Sequence, residues 1–219
     1  MTLLKEIEAA NPSADRETVS AIERLILKYA MRSFGRRGYA ATSLRNIAAE
    51  AKVTAPMVSY YFESKEGLFL RVAEIVMASV ERNVVRALQQ PQPFHRAIES
   101  IVSAHVRLAQ ESPAAVEFML SMLYGPREGQ PEPDLDRMYR TTRGHIVATF
   151  ERGIAAGEFL PRTGVGVNFL VEQLVSLIHE HAIRNFRAER ACRANPVSVE
   201  MALEHFFFGA GTLVKESTP

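Results

Sequence analysis

Apolar residues recur at three- and four-residue spacing along nearly the whole chain, the signature of amphipathic helices. Ile22, Leu25, Ile26, Tyr29, Ala30 and Phe34 form the stripe of a helix predicted over about residues 17–36. Gly35 and Gly38 end it, with Arg36 and Arg37 in the last turn, where cations suit the helix dipole. A second helix is predicted from Thr42 as N-cap to about Ala51, with Leu44, Ile47, Ala48 and Ala51 inward. A third is short, from Thr54 as N-cap to about Phe62, with Pro56 in its first turn, where a missing N–H is harmless. Ser64 caps a fourth that reaches about Leu88. Pro91 and Pro93 mark a break. Later helices are predicted over about 94–110, 113–123, 134–156, 164–188 and 196–214, the last capped by Asn195 with Pro196 at its first position. Period-two alternation and Asn-Gly or Asp-Gly hairpin turns are nearly absent, so the fold class is all-α with about nine helices. Residues 125–133 (Gly-Pro-Arg-Glu-Gly-Gln-Pro-Glu-Pro) read as the most loop-like segment and the one expected to be mobile.

The third helix is unusual in what it leaves outside. At about 100° per residue, turning Val58 and Phe62 inward turns Pro56 and Tyr60 outward, with Met57 and Ser59 flanking and Ala55 and Tyr61 at the edges. A structural helix would carry Lys, Glu or Gln there. Second helix, three-residue turn, third helix is the spacing of a helix-turn-helix that sets its second helix in the DNA major groove.

Charge supports this division. Between Arg16 and Lys65 nine basic residues face four acidic ones, whereas residues 91–219 hold 13 basic and 15 acidic, although the whole chain is only +1. A basic front joined to a mildly acidic rear suits a DNA-contacting module attached to one with another task. Hydrophobic residues make up 47% of the 219, enough for a large core. The lone Cys192 excludes an internal disulfide, and the start of the chain lacks a signal peptide's apolar run, so the protein is expected in the cytoplasm and off the membrane.

Phe34-Gly35-Arg36-Arg37-Gly38-Tyr39-Ala40-Ala41-Thr42-Ser43-Leu44-Arg45-Asn46-Ile47-Ala48, then Val53, then Ser59-Tyr60-Tyr61-Phe62-Glu63-Ser64-Lys65-Glu66-Gly67-Leu68, resemble the DNA-binding domain of the TetR (tetracycline-repressor) family. The resemblance covers about residues 23–70 and implies a homodimer, a double-stranded operator and a small-molecule effector. It implies an N-terminal extension over 1–16, a DNA-binding domain over 17–64, and a helical effector-binding and dimerisation domain over 65–219. Its contact positions fall on Thr42, Ser43, Arg45, Ala55, Pro56, Met57, Ser59, Tyr60, Tyr61 and Lys65. Arg45, in the first turn of its helix, opposes the dipole, a placement that a phosphate or guanine edge would repay. Lys65 stands at a helix start, a natural phosphate site. Two departures stand out: Lys52 replaces the usual Gly of the turn, and the third helix offers no Arg, Lys, Asn or Gln for bidentate base reading. Apolar contacts from Pro56, Met57 and Tyr60, together with DNA shape and Arg45, would then carry specificity.

The rear helices are apolar on more than one side. Leu170, Leu174, Leu177, Ile178, Phe206, Phe207, Gly209 and Leu213 are expected at a dimer interface. His105, Phe118, Met119, Met122, Tyr139, Arg143, Phe150 and His179 are candidates for an effector pocket, which would suit an apolar or aromatic molecule. Metal and catalytic patterns are weak: His179 and His181 lie on different helix faces, and no nucleophile elbow or phosphate loop occurs, so no metal, cofactor or enzymatic activity is expected. The alternatives are a regulator of the same type that activates or that takes no effector, and, further off, a helical enzyme or carrier.

Overall fold

The computed structural model describes residues 21–191 and 198–213. The predicted extension over 1–16, Cys192 and the cap at Asn195 and Pro196 lie outside them. Nine helices occur among the described residues: α1 (Ala21–Arg37), α2 (Leu44–Ala51), α3 (Ala55–Phe62), α4 (Lys65–Ala87), α5 (Phe94–Glu111), α6 (Pro113–Tyr124), α7 (Leu135–Ala155), α8 (Val167–Ala191) and α9 (Val199–Ala210). Two three-residue strands, β1 (Phe159–Pro161) and β2 (Gly211–Leu213), pair antiparallel with Phe159 opposite Leu213. No described helix is long and apolar enough to cross a membrane.

The chain forms two compact units that are not consecutive in sequence. Of the described residues, the first takes those up to Ser79 and adds Ala109–Met138; the second takes Val80–Leu108 and those from Tyr139 on. The linear division expected at residue 64 therefore does not follow the packing: α6 belongs with α1–α3. The reason is visible along α1. Phe34 and Phe69 meet Phe118 of α6 at ring centroids 6.4 and 5.2 Å apart, all three nearly fully buried. Gly35 lets the backbones close in, since a Cβ there would lie 2.9 Å from the Phe118 nitrogen. The Ser121 hydroxyl donates to the Phe34 carbonyl (3.1 Å), and Arg36 pairs with Glu117 (3.4 Å). The apolar stripe of α1, with Ile26, Leu27, Ala30, Met31 and Phe34 buried, closes the same core against Ile47 of α2 and Val58 of α3.

In the second unit, Phe94, Ile98, Ile146, Phe150, Phe159, Leu170, Leu174 and Leu203 share a core. Gly153 is required there, because a Cβ would come 2.5 Å from the Phe94 ring. The last helix, expected to run to 214, stops at Ala210, and Gly211 opens the extended segment that pairs with β1. Leu213 thus sits on a strand, not on a helical interface.

Candidate nucleic-acid interface and effector residues

Each helix of the α2–α3 pair begins with a side-chain cap, which satisfies backbone N–H groups that the helix itself leaves open. The α2 cap is Ser43, whose hydroxyl accepts from the Asn46 N–H (3.2 Å), and not Thr42 as expected. Thr42 is only 2% exposed, and its hydroxyl donates to the Gly38 carbonyl at 2.7 Å with the Ser33 carbonyl at 3.2 Å. Thr42 is therefore a strut of the α1–α2 turn and is withdrawn from the contact set. Thr54 caps α3, accepting from the Met57 N–H (3.4 Å).

Lys52 occupies the left-handed region (φ 56°, ψ 39°), and its N–H closes α2 onto the Ala48 and Ala49 carbonyls. A left-handed non-glycine residue costs roughly 1–2 kcal/mol, the expense anticipated from its departure from glycine. The turn Lys52-Val53-Thr54 then sets α3 with Val58 and Phe62 buried, as the periodicity predicts. Pro56, Ser59 and Tyr60 are exposed, Tyr60 at 82%, while Ala55, Met57 and Tyr61 are half-buried. Tyr60 and Tyr61 meet edge to face at 5.5 Å, which steadies the exposed ring. On α2 the Arg45 side chain is exposed.

The connection from α3 to α4 carries a feature that no motif announced. Glu63 has φ 60° and ψ −52°, and the Ser64 N–H donates to the Phe62 carbonyl at 2.6 Å. This is a γ-turn with positive φ, a rare and strained conformation. Gly67 makes room for it, since a Cβ there would lie 2.5 Å from the Phe62 oxygen. Lys65, expected on a phosphate, instead turns inward. Its ammonium donates to the Tyr39 and Thr42 carbonyls, both at 3.1 Å, and lies 4.0 Å from the centroid of the Tyr39 ring. Two of its three N–H groups are so engaged.

The effector candidates fall apart into separate places. Phe118 and Met122 are core of the first unit, and Phe150 is core of the second. Arg143 joins α7 to α8 through Glu172 and Asn168 at a half-exposed position, which makes it a strut between helices. Met119 and Tyr139 are half-buried. His105 and His179 both lie in the second unit. Burial lowers the pKa of both; for His105 a bond to the Ile101 carbonyl (2.8 Å) opposes that shift and the charge of His179 adds to it. The neutral His105 ring donates from Nδ1 to that carbonyl, which leaves Nε2 as an acceptor. Among the described residues no group of three His, Cys, Asp or Glu is placed to hold a metal.

Part of the expected dimer face is taken up by the protein's own core. Leu170, Leu174 and Ile178 point into the core of their own unit, and Phe206 and Phe207 pack against it. The side chain of Leu213 lies outside the described residues. Leu177 is half-buried; the large apolar side chains that α8 and α9 expose among the described residues are Phe169 (57%) and Met201 (62%), and Gly209 is exposed as well.

A capped helix-turn-helix with a small, aromatic, uncharged outer face, carried by a basic module of helices, defines a DNA-binding regulator. Residues 26–72 match the model of the bacterial regulatory proteins of the tetR family. YhgD, a helix-turn-helix-type transcriptional regulator of Bacillus subtilis (strain 168), is 24% identical over 140 residues, 64% of this chain and 72% of its own. The regulator BetI of Agrobacterium fabrum is 25% identical over 130 residues, 59% of this chain and 63% of its own length. The fold is that of FadR from Bacillus subtilis, solved with stearoyl-CoA: TM-score 0.68, 16% identity, 84% of this chain and 97% of that one. Residues 26–72 thus carry the DNA-binding module of the tetR type, and the chain as a whole is similar to transcriptional regulators built on it.

Proposed function

We propose that this regulator represses transcription as a homodimer on a pseudo-palindromic operator and leaves it when a small apolar or aromatic molecule binds the second unit. The reading rests first on α3: a helix of eight residues with an exposed Tyr60 and an uncharged face has no use in the core and suits a groove. Ala55, Pro56, Met57, Ser59, Tyr60 and Tyr61 would meet base edges and sugars, with Ser43 and Arg45 at the start of α2. Two copies would place half-sites about one or more helical turns apart, roughly 34–36 Å per turn. Phe169 and Met201 support pairing through the outer faces of α8 and α9. For the effector, the likeness to a fold solved with an acyl-CoA supports an apolar body, and the His105–His179 pair supports a polar end. The protein would work in the cytoplasm, without catalysis or a cofactor.

The test is selection of random-sequence duplexes with the full chain, then mobility shifts of the winner with stearoyl-CoA, stearate and small aromatic acids added. A palindromic consensus released by one of these is the expected result. Failure to enrich any duplex would sink the DNA reading. Enrichment with no release by any compound would sink the effector half alone.

A further inference from the structure

We propose that Lys65 is a positioning residue for sequence recognition: it clasps the two ends of the helix-turn-helix and so sets the angle at which α3 is presented. The proposal rests on the DNA-binding reading above. Thr42 stands just before the cap of α2, and Lys65 opens α4, 23 positions later. The segment between them is the whole α2–turn–α3 unit. The Lys65 ammonium closes that segment into a ring by bonding the Thr42 carbonyl, and the bond to the Tyr39 carbonyl anchors the ring to the α1–α2 turn.

Both attachment points are themselves held. The Tyr39 ring stacks on Phe34 at 5.9 Å and sets its edge against Phe69 at 5.2 Å, so the face beneath the ammonium is fixed by the core. Thr42 is held by its own hydroxyl on Gly38. On the other side of the ring, α3 is separated from Lys65 by only Glu63 and Ser64, whose γ-turn and Gly67-dependent close approach leave little freedom. The ring therefore has two stiff joints, the left-handed Lys52 inside it and the γ-turn at its end, and a single side-chain clasp. Release of the clasp leaves each helix intact and alters how α2 and α3 sit on α1.

A clasp and a phosphate contact differ in measurable ways. A lysine that neutralises a phosphate adds about 0.9 to the slope of log affinity against log salt for each half-site. A clasp adds nothing to the slope, acts in the absence of DNA, and acts more on specific than on non-specific binding. The experiment compares the wild-type chain with Lys65→Met and Lys65→Gln. It uses the best duplex recovered by the selection and poly(dI-dC) as non-specific competitor, and it follows amide hydrogen exchange of the DNA-free proteins. Expected are a loss of about tenfold in affinity for the selected duplex, the scale of one or two net hydrogen bonds, a less than twofold loss on poly(dI-dC), and an unchanged salt slope. Amides over residues 39–48 should exchange faster in both variants without DNA. A slope reduced by about 0.9 per half-site, equal losses on both DNAs and unaltered exchange would overturn the proposal and make Lys65 a phosphate contact. Equal losses with an unchanged slope would overturn it in favour of a role in stability alone. If the methionine variant does not fold, Lys65→Gln, which keeps one donor arm, carries the comparison. The exchange readout needs no DNA, so a failed selection would refute the DNA reading without touching the clasp itself.

Discussion

Glu63→Gly should make the protein more stable and bind its operator less well. The backbone at this position has φ 60° and ψ −52°, held by the 2.6 Å bond from the Ser64 N–H to the Phe62 carbonyl. For an L-residue such a conformation costs about 1–3 kcal/mol, and glycine adopts it without the Cβ conflict. Glycine brings its own penalty of about 0.5–1 kcal/mol through the freer unfolded chain. Glu63 is exposed, so removing its side chain forfeits little packing. The balance is a gain of roughly 0.5–2 kcal/mol, or about 1–8 °C for a chain of this size. Glu63→Ala keeps the Cβ and should gain nothing, which separates relief of strain from loss of the carboxylate. The assay is guanidinium unfolding followed by tyrosine emission, since the chain has six Tyr and no Trp, and Tyr60 and Tyr61 lie within three residues of the turn. Operator affinity of the glycine variant should fall, because the joint between α3 and α4 loosens as it relaxes. A glycine variant no more stable than the alanine one would show that Glu63 is not strained.

Gly35→Ala should destabilise by about 1–3 kcal/mol in thermal unfolding, because the added methyl would meet backbone of α6 at 2.9 Å, which cannot swing aside. Arg45→Ala should relax discrimination at one base pair per half-site in a selection; equal weakening on every sequence would make it a phosphate contact. Phe169→Glu with Met201→Glu should give a folded monomer by light scattering, whereas Leu174→Glu should fail to fold, as befits a fully buried side chain. Acid should destabilise the second unit: His105 has a folded pKa below its ordinary 6.5, so the unfolded chain binds the extra proton first, and stability is lost as pH falls through 6.5. His179 and His181 act in the same direction. Unfolding free energies between pH 8 and 5 should fall, and His105→Gln should flatten the curve.

Some of this was legible in the sequence and some was not, for physical reasons. The outward face of α3 followed from periodicity alone, because Val58 and Phe62 leave only one way to turn the helix. The left-handed Lys52 was readable because a glycine is missing where the family has one. The γ-turn at Glu63 was not, because its own residues look like an ordinary cap. The available signal was Gly67, a poor choice for a helical first turn unless another backbone approaches it. Thr42 and Ser43 are equally good caps side by side, and only the buried hydroxyl of Thr42 decides between them. Leu170, Leu174 and Ile178 were expected to face a partner because they form the most apolar stripe of α8, but their own unit needs that stripe for its core. The place of Phe118 and Met122 could not be read locally at all, since it depends on packing against residues as distant in sequence as Phe34 and Phe69.

That last arrangement limits how such a protein can be recombined. Because α6 completes the hydrophobic interior that α1 begins, the operator-reading front cannot be cut out at the end of α3 or α4 and grafted onto a foreign sensor. A shortened front would leave Phe34 and Phe69 facing water, and a graft would inherit an α6 not shaped for Gly35. A working hybrid must carry Ala109–Met138 along with the front. Exchange of sensing specificity between relatives would then take three crossovers, after Ser79, Leu108 and Met138, not one behind the DNA-reading helices.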